Sequence, residues 1–227
     1  MLAASAIATA TLLAGPSYEG RPITAVHHGG AGTRVLVVGS IHGNETAGHA
    51  VVRALRRTAP NGFDLWTVTS ANPDGARRRS RQNARGVDLN RNFPRRWRGG
   101  GRAFGTYYPG RSAASEPETR AVERLVERIR PDVTIWYHQR LALTNLSTGA
   151  DPAVVRAYAR RSGLPARRLP PYRGTATSWQ NHSRPGSSAF VVELPSGALS
   201  AAAVARHVAA VRDAAFAGVP TATSPPR

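Results

Sequence analysis

Residues 34–45 read RVLVVGSIHGNE and join an apolar, β-branched run to a short polar turn. The run at 34–40 predicts a buried strand, and the composition from Glu45 to about Arg57 predicts a helix. His42 and Glu45 therefore lie where a strand passes into a helix. Such junctions are typical of α/β proteins, in which functional side chains follow the carboxyl ends of the strands.

The alternation of strands and helices continues along the chain. Apolar runs and helical spacings predict strands at 64–69, 133–137 and 189–194 and helices at 115–130, 151–162 and 199–216. Ser115 and Glu118 are spaced as a capping box at the start of one helix. Residues 76–112 show little periodicity and predict a long, functional loop. We therefore expect an α/β fold, a three-layer sandwich with a mixed, largely parallel central sheet flanked by helices.

The chain of 227 residues is long enough for one globular domain, which we assign to residues 16–217. Residues 1–15 are apolar and resemble the hydrophobic part of a signal peptide, although no basic segment precedes them. We expect export to the cell envelope or beyond, with a cytoplasmic location as the alternative. Residues 218–227 are expected to form a disordered tail. The oligomeric state stays open.

The charge of the chain is strongly positive. The formal net charge is +18, and all 31 basic residues are arginines. This bias has two interpretations, a GC-rich coding sequence or attraction to a polyanion. The arginine clusters at 77–85 and 95–102 lack any nucleic-acid-binding pattern, so no nucleic-acid partner is expected. No apolar segment is long enough to span a membrane. We interpret the charge as an aid to the approach of an acidic substrate.

Histidine and carboxylate residues supply the candidate metal ligands, because the chain contains no cysteine. His42 and Glu45 form an H-x-x-E pair whose side chains can converge on one ion such as Zn²⁺. The alternative for this pair is a solvated loop histidine beside a glutamate that favours a helix N-terminus. His138 ends an apolar strand, where a third ligand or a hydrogen-bonded core histidine would fit.

Two further polar groups stand in apolar surroundings. The run DLNRNFP at 88–94 is dense in polar groups between Val87 and Phe93, and its Arg91 offers a planar fork suited to a carboxylate. Glu193 lies in the apolar run 189–194, where burial would raise its pKa towards that of a working base.

The motifs HGNE, NPDG, NARGVDLNRNFP, SEPET, WYHQ and FVVELPSG occur in the order and spacing of the zinc carboxypeptidases of the pancreatic carboxypeptidase superfamily. The resemblance covers about residues 17–215. The chain is most similar to the short bacterial members of this superfamily that act on murein peptides, the murein peptide amidases.

The resemblance implies a role for each matching residue. One zinc ion per chain would be held by His42, Glu45 and His138, and Glu193 would act as general base and acid. The remaining implied roles are substrate-carboxylate binding by Asn90 and Arg91, oxyanion stabilisation by Arg81 or alternatively Arg85, and a mobile catalytic tyrosine at Tyr172. The sequence PPYRGT around Tyr172 departs from the family pattern, so a surface tyrosine is the alternative there.

The implied activity is zinc-dependent hydrolysis of a peptide or amide bond next to a carboxylate-bearing residue, as in the γ-D-glutamyl-diaminopimelate bond of murein peptides. Arg140, directly after the implied ligand motif, adds a positive charge that would favour an acidic substrate group. The partner would be a small peptide with a free carboxylate. The alternatives are an ordinary metallocarboxypeptidase, a deacylase of the succinylglutamate desuccinylase or aspartoacylase type, and an inactive cell-wall peptide-binding module. The sequence leaves the scissile bond open.

Overall fold

Strands and helices alternate through the residues that the computed structural model describes, which are 10–217. The strands are β1 (Ala10–Pro16), β2 (Pro22–His27), β3 (Thr33–Val38), β4 (Phe63–Val68), β5 (Val133–Gln139), β6 (Leu143–Asn145), β7 (Ala166–Arg167) and β8 (Ser188–Leu194). The helices are α1 (Gly48–Leu55), α2 (Pro73–Arg78), α3 (Pro117–Ile129), α4 (Pro152–Ser162), α5 (Ala176–Ser183) and α6 (Ala201–Ala217), and Leu89–Arg91 form a 3₁₀ turn.

The strands form one sheet in the order β1-β2-β4-β3-β5-β8-β6-β7. The four central strands β4, β3, β5 and β8 run parallel, whereas β1, β2 and β6 each pair antiparallel with a neighbour. Parallel pairing brings the carboxyl ends of the central strands to one edge of the sheet. This mixed, largely parallel sheet confirms the α/β class.

Helices cover both faces of the sheet because the side chains of a strand point alternately to its two sides. In β3, Val35 and Val37 join one hydrophobic cluster with α1, α4 and α6. Leu36 and Val38 join a second cluster, on the opposite face, with α3 and the start of α5. The sheet is therefore the middle layer of a three-layer sandwich.

The predicted capping box at the start of α3 is wrong. Glu116 is the N-cap residue, without a side-chain capping bond, and the Ser115 hydroxyl donates to the Glu116 carboxylate. The Glu118 carboxylate instead accepts from the Tyr18 backbone N–H and the Asn83 amide. Tertiary hydrogen bonds to a fully buried carboxylate therefore replace the local bond that the spacing suggested.

The long segment after β4 is more regular than predicted. Asn72 caps α2 by accepting from the Gly75 N–H at 2.9 Å, and the 3₁₀ turn follows within the segment predicted as loop. Strands β6 and β7 and helix α5 were not predicted, because β6 and β7 have only three and two residues. Short elements give too little periodicity for a pattern to detect.

The described residues overlap only in part with the terminal segments predicted at 1–15 and 218–227. Strand β1 begins at Ala10, inside the segment interpreted as signal-like, and pairs with β2. Residues 1–9 and the predicted tail at 218–227 lie outside the described residues. Within 10–217, no helix combines the length and the apolar character that a membrane crossing needs.

Candidate metal centre and active site

Three of the central strands deliver chemistry-bearing side chains to their shared carboxyl edge. His42 follows β3, His138 lies near the end of β5, and Glu193 is the register partner of His138 on β8. The turn after β3 packs tightly, because a Cβ on Gly43 would stand 1.9 Å from the backbone carbonyl carbon of Gly75. Glycine at this position therefore allows the turn that carries His42 to lie against α2.

His42, Glu45 and His138 form the candidate metal centre. One ligand atom from each residue lies within 4.8 Å of the others, and all three residues are buried. The Nδ1 atoms of His42 and His138 each lie 3.0 Å from Oε2 of Glu45. Two imidazole nitrogens and a carboxylate oxygen around one point are a ligand set that suits Zn²⁺. The buried donor set thus fits the metal that the resemblance implies.

Asp88 fixes the orientation of the His42 ring. Its Oδ1 atom lies 3.0 Å from His42 Nε2, and its carboxylate is fully buried. A carboxylate that accepts from Nε2–H leaves Nδ1 with its lone pair, which is the nitrogen that faces Glu45. The 3₁₀ turn fixes the Asp88 carboxylate, because the Asn90 N–H of this turn donates to it.

The charges of this cluster stabilise one another. Burial opposes charge on Glu45, but the hydrogen bonds from His138 and His42 hold its pKa well below the usual range. Burial also opposes charge on Asp88, yet His42, Arg81 and Arg91 lower the pKa of that carboxyl. Both carboxylates are therefore ionised, as metal ligation and its support require.

Arg81 lies at the metal centre, and Arg85 does not. The Arg81 guanidinium donates to Asp88 Oδ2 at 2.8 Å and to Glu45 Oε1 at 3.2 Å, and Arg81 lines a cavity that His42, Glu45 and His138 also line. Arg85 stacks over Tyr18 and lies 3.6 Å from Glu116. Of the two arginines considered from the sequence, Arg81 is the one whose donors reach the cavity.

Arg91 and Asn90 form a second polar pair in the same cavity. The Arg91 guanidinium packs against two tyrosine rings, 5.0 Å from the centre of Tyr107 and 4.5 Å from that of Tyr172. Asn90 Oδ1 accepts from the Ala176 N–H at 3.0 Å, so the amide nitrogen is the end that can donate to a ligand. Together they present a fork suited to a carboxylate.

Glu193 presents a carboxylate without a full set of partners. Its Oε2 atom is buried and accepts no hydrogen bond from the described residues. Burial raises the pKa of Glu193, and the negative charge of Glu45 adds to this effect, although His138 opposes it. A carboxylate with a raised pKa beside a metal centre can exchange protons near neutral pH.

One cavity of about 680 Å³ joins these groups. All eight residues that the sequence marked as site candidates line it: His42, Glu45, Arg81, Asn90, Arg91, His138, Tyr172 and Glu193. Arg140 also lines the cavity, whereas His182 lines a smaller neighbouring one. Arg81, Arg91 and Arg140 outnumber the carboxylates of Glu45 and Glu193, so the cavity is cationic.

Sequence reasoning missed three supporting residues. Asp88 orients His42, Tyr107 packs on both Arg81 and Arg91, and the Gln139 side chain joins the Ala47 N–H to the Pro195 carbonyl. Asp88 had a detectable signal, because it opens the dense polar run at 88–94. Tyr107 had none, since it lies in a glycine-rich segment without periodicity.

Comparison with known proteins identifies the family of the chain. The sequence model of the zinc carboxypeptidase family matches residues 3–182. Murein peptide amidase A of Escherichia coli K12 is 37% identical over 123 residues, which cover 47% of this chain and 49% of the relative. Metallocarboxypeptidase A of Trichophyton tonsurans is 33% identical over 120 residues, 39% of this chain and 28% of the relative. The matches thus span about half, or less, of these curated relatives.

Solved structures share the fold over most of the chain. The murein-tripeptide amidase of Escherichia coli O157 superposes with a TM-score of 0.74 at 25% identity, over 93% of each chain. Carboxypeptidase A of Helicoverpa armigera gives a TM-score of 0.80 at 20% identity, over 96% of this chain and 70% of the other. With the family match over well more than half of its length, the chain belongs to the zinc carboxypeptidase family.

Proposed function

We propose that this chain is a zinc-dependent amidase that cleaves the γ-D-glutamyl-diaminopimelate bond of murein peptides. The observation that carries the proposal is one cavity lined by a His-Glu-His cluster, a half-buried glutamate with an unpaired oxygen and an arginine-asparagine pair. The similarity to murein peptide amidases supports the substrate.

One zinc ion per chain would be held by Nδ1 of His42, the Glu45 carboxylate and Nδ1 of His138. Zinc bound there would supply Lewis acidity, which polarises a carbonyl and allows attack by water near neutral pH. Asp88 keeps Nδ1 of His42 available by accepting from Nε2. The chain therefore contributes a preformed ligand set.

Glu193 and Arg81 supply the proton and charge steps. Glu193 takes a proton from the attacking water and returns it to the leaving amine, which its raised pKa favours. Arg81 already extends its NH1 donor to the ligand carboxylate of Glu45 at 3.2 Å. From there the guanidinium can stabilise negative charge that develops on the carbonyl oxygen.

Arg91 and Asn90 position the substrate. A free carboxylate on the amine side of the scissile bond would accept from the Arg91 guanidinium and the Asn90 amide nitrogen. The rings of Tyr107 and Tyr172 both pack on the guanidinium. This fixes the distance from the carboxylate to the metal centre, which is an orientation effect. Tyr172 is 51% exposed and lines the cavity, so its ring is accessible to a bound substrate.

An ordinary metallocarboxypeptidase would use the same carboxylate pair and is the main alternative for the substrate. A deacylase substrate such as N-succinylglutamate also carries a free carboxylate on the amine side of its amide bond, so a comparison of substrates separates this alternative. An inactive binding module would not need a base, yet Glu193 lines the cavity. The cationic lining also suits a substrate that carries more than one carboxylate.

The test compares zinc-loaded wild type with Glu193→Gln on three substrates. These are L-Ala-γ-D-Glu-meso-diaminopimelate, a blocked ordinary dipeptide and N-succinylglutamate. We expect wild type to release diaminopimelate, a chelator to abolish the release, and Glu193→Gln to lower kcat by about 10²–10⁴-fold with zinc content unchanged.

Each other result points elsewhere. Cleavage of the dipeptide alone would move the activity to an ordinary carboxypeptidase, and turnover of N-succinylglutamate alone would favour a deacylase. A Glu193→Gln variant as active as wild type would remove the proposed base. Absence of bound zinc after loading would overturn the proposal as a whole.

A murein substrate also suits action in the cell envelope, and we propose export on that ground. Activity assays on the culture medium, envelope and cytoplasm of producing cells would test it. Activity confined to the cytoplasm would favour the alternative location.

A further inference from the structure

A second cavity, of about 270 Å³, opens directly beside the main one. The two cavities are neighbours, because Tyr172, Thr175 and Thr177 are among the residues that line both. We call this second space the rear cavity. Its lining includes Arg95 and Arg96 together with polar side chains such as those of Ser178 and Asn181.

Backbone hydrogen bonds fix the segment that carries Arg95 against the loop that carries Tyr172. The Gly174 N–H donates to the Arg95 carbonyl at 3.1 Å, and the Phe93 N–H donates to the Gly174 carbonyl at 3.0 Å. Gly174 has a φ of +62°, and a Cβ there would stand 2.2 Å from the Arg91 carbonyl oxygen. The backbone of Arg95, the neighbour of Arg96, is therefore held in place relative to Arg91 by the fold.

The rear cavity contains no negative charge among the described residues. None of the residues that line it is aspartate or glutamate. The segments that form it lie within stretches free of acidic residues, between Asp88 and Glu116 and between Asp132 and Glu193 apart from Asp151. Both Arg95 and Arg96 are exposed to the cavity and to solvent. An anionic group is thus the ligand that this lining favours.

The clamp formed by Arg91 and Asn90 directs a substrate towards this space. Tyr172 packs on the Arg91 guanidinium at 4.5 Å, and Asn90 accepts from the N–H of Ala176, the neighbour of Thr175. A residue whose carboxylate lies on the clamp has its side chain beside Tyr172 and Thr175. A long side chain at that point can pass into the rear cavity.

We propose that the rear cavity binds the side chain of the residue on the amine side of the scissile bond, and that Arg95 and Arg96 bind a carboxylate at its end. This proposal rests on the proposed amidase function and names a determinant of its substrate class. The leaving residue is then one with two carboxylates, one on the clamp and one in the rear cavity. A side chain that ends in an ammonium group alone meets two guanidinium groups and is disfavoured.

Two substrates that differ by a single carboxylate provide the test. L-Ala-γ-D-Glu-meso-diaminopimelate has a terminal side-chain carboxylate, and L-Ala-γ-D-Glu-L-lysine lacks it. We expect zinc-loaded wild type to favour the diaminopimelate peptide by about 10- to 100-fold in kcat/KM. The double variant Arg95→Ala/Arg96→Ala should lose most of this preference by acting more slowly on the diaminopimelate peptide alone.

The matched control is Arg102→Ala. Arg102 is exposed, belongs to the same arginine-rich segment and lines neither cavity. Its removal lowers the net charge without touching the subsite, so the preference should stay at the wild-type value. An equal loss in Arg102→Ala would assign the effect to general charge and overturn the subsite.

A binding measurement separates this proposal from the proposed function. Free meso-diaminopimelate and free L-lysine are titrated into zinc-loaded wild type and the double variant by ligand-observed NMR. Tighter binding of diaminopimelate in wild type only, even without hydrolysis of either peptide, would support the subsite while the proposed function fails. Equal binding of the two amino acids, or a preference that survives in the double variant, would overturn it.

Discussion

His42 and His207 are both buried histidines, at 2% and 3% exposure, but His42 follows strand β3 at the carboxyl edge of the sheet and His207 lies on helix α6. His42 lies between the carboxylates of Asp88 and Glu45. His207 Nδ1 lies 2.7 Å from the Tyr158 hydroxyl, which lies 2.8 Å from the Tyr137 hydroxyl. One imidazole thus has anionic neighbours beside a cavity, and the other has neutral hydroxyls inside the core.

Because their neighbours differ, the pKa values of the two imidazoles shift in opposite directions. Burial opposes protonation of both rings, but Asp88 and Glu45 outweigh it and raise the pKa of His42. Burial lowers the pKa of His207 to about 4, and the charge of Arg206 adds to the shift. Burial alone therefore does not mark a functional histidine. Carboxylate partners and access to a cavity distinguish the site from the structural network.

Removal of one histidine from each cluster should give the largest difference in bound zinc between two variants. We expect His138→Ala to lose its bound zinc, with a drop in affinity beyond the roughly 10- to 100-fold that loss of a supporting residue causes. His207→Ala should keep one zinc per chain, because no metal ligand contacts it. Metal analysis of the purified variants measures this. Full zinc occupancy in His138→Ala would contradict the assignment of the ligand set.

Asp88→Asn should weaken zinc binding by about 10- to 100-fold, because the amide supports the His42 ring less well than the carboxylate. Competition with a chelator of known affinity measures the effect. The matched control is Asp74→Asn, another fully buried carboxylate, which accepts from Ser17 and Arg21 away from the cavity.

Asp74→Asn should lower thermal stability and leave the zinc affinity unchanged. Equal losses of zinc affinity in Asp74→Asn and Asp88→Asn would mean that Asp88 acts through general stability and not through His42.

The sequence predicts the contrast between the two clusters only in part. His42 and Glu45 are close along the chain, and His138 and Glu193 end apolar strands, so a pattern of strand ends identifies them. The three-layer fold follows from the same strands. The support from Asp88 requires knowing that a 3₁₀ turn 46 residues further along the chain packs on His42.

Other features depend on contacts that no local pattern contains. The Tyr137–Tyr158–His207 network joins β5, α4 and α6, and the sequence offered no role for His207. The predicted capping box failed for the same reason, because distant Tyr18 and Asn83 bond to Glu118. The fold class and the clustering of His42, Glu45 and His138 were therefore predictable, and the partners that set their electrostatics were not.

The smallest predicted effect concerns the stability of the His207 network at low pH. The pKa of His207 is about 4 in the folded protein and 6.5 without perturbation, so between these values the unfolded chain binds a proton that the folded protein excludes. Stability therefore falls as pH is lowered from 7 towards 5, by about 1–2 kcal/mol from this group. Burial raises the pKa of Glu123 to about 7, so this group increases the stability of the folded protein as pH is lowered. Its contribution is the same in wild type and in each variant.

Urea denaturation of wild type and His207→Gln at pH 7 and pH 5, both with zinc chelated, isolates the contribution of His207. The variant should lose less stability on acidification than wild type, since glutamine cannot take up the proton, and exposed His182→Gln should lose as much as wild type. An identical loss in wild type and His207→Gln would mean that the imidazole titrates alike in the folded and unfolded states. The opposite pKa shifts of His42 and His207 would then no longer support the contrast drawn from their carboxylate and hydroxyl partners.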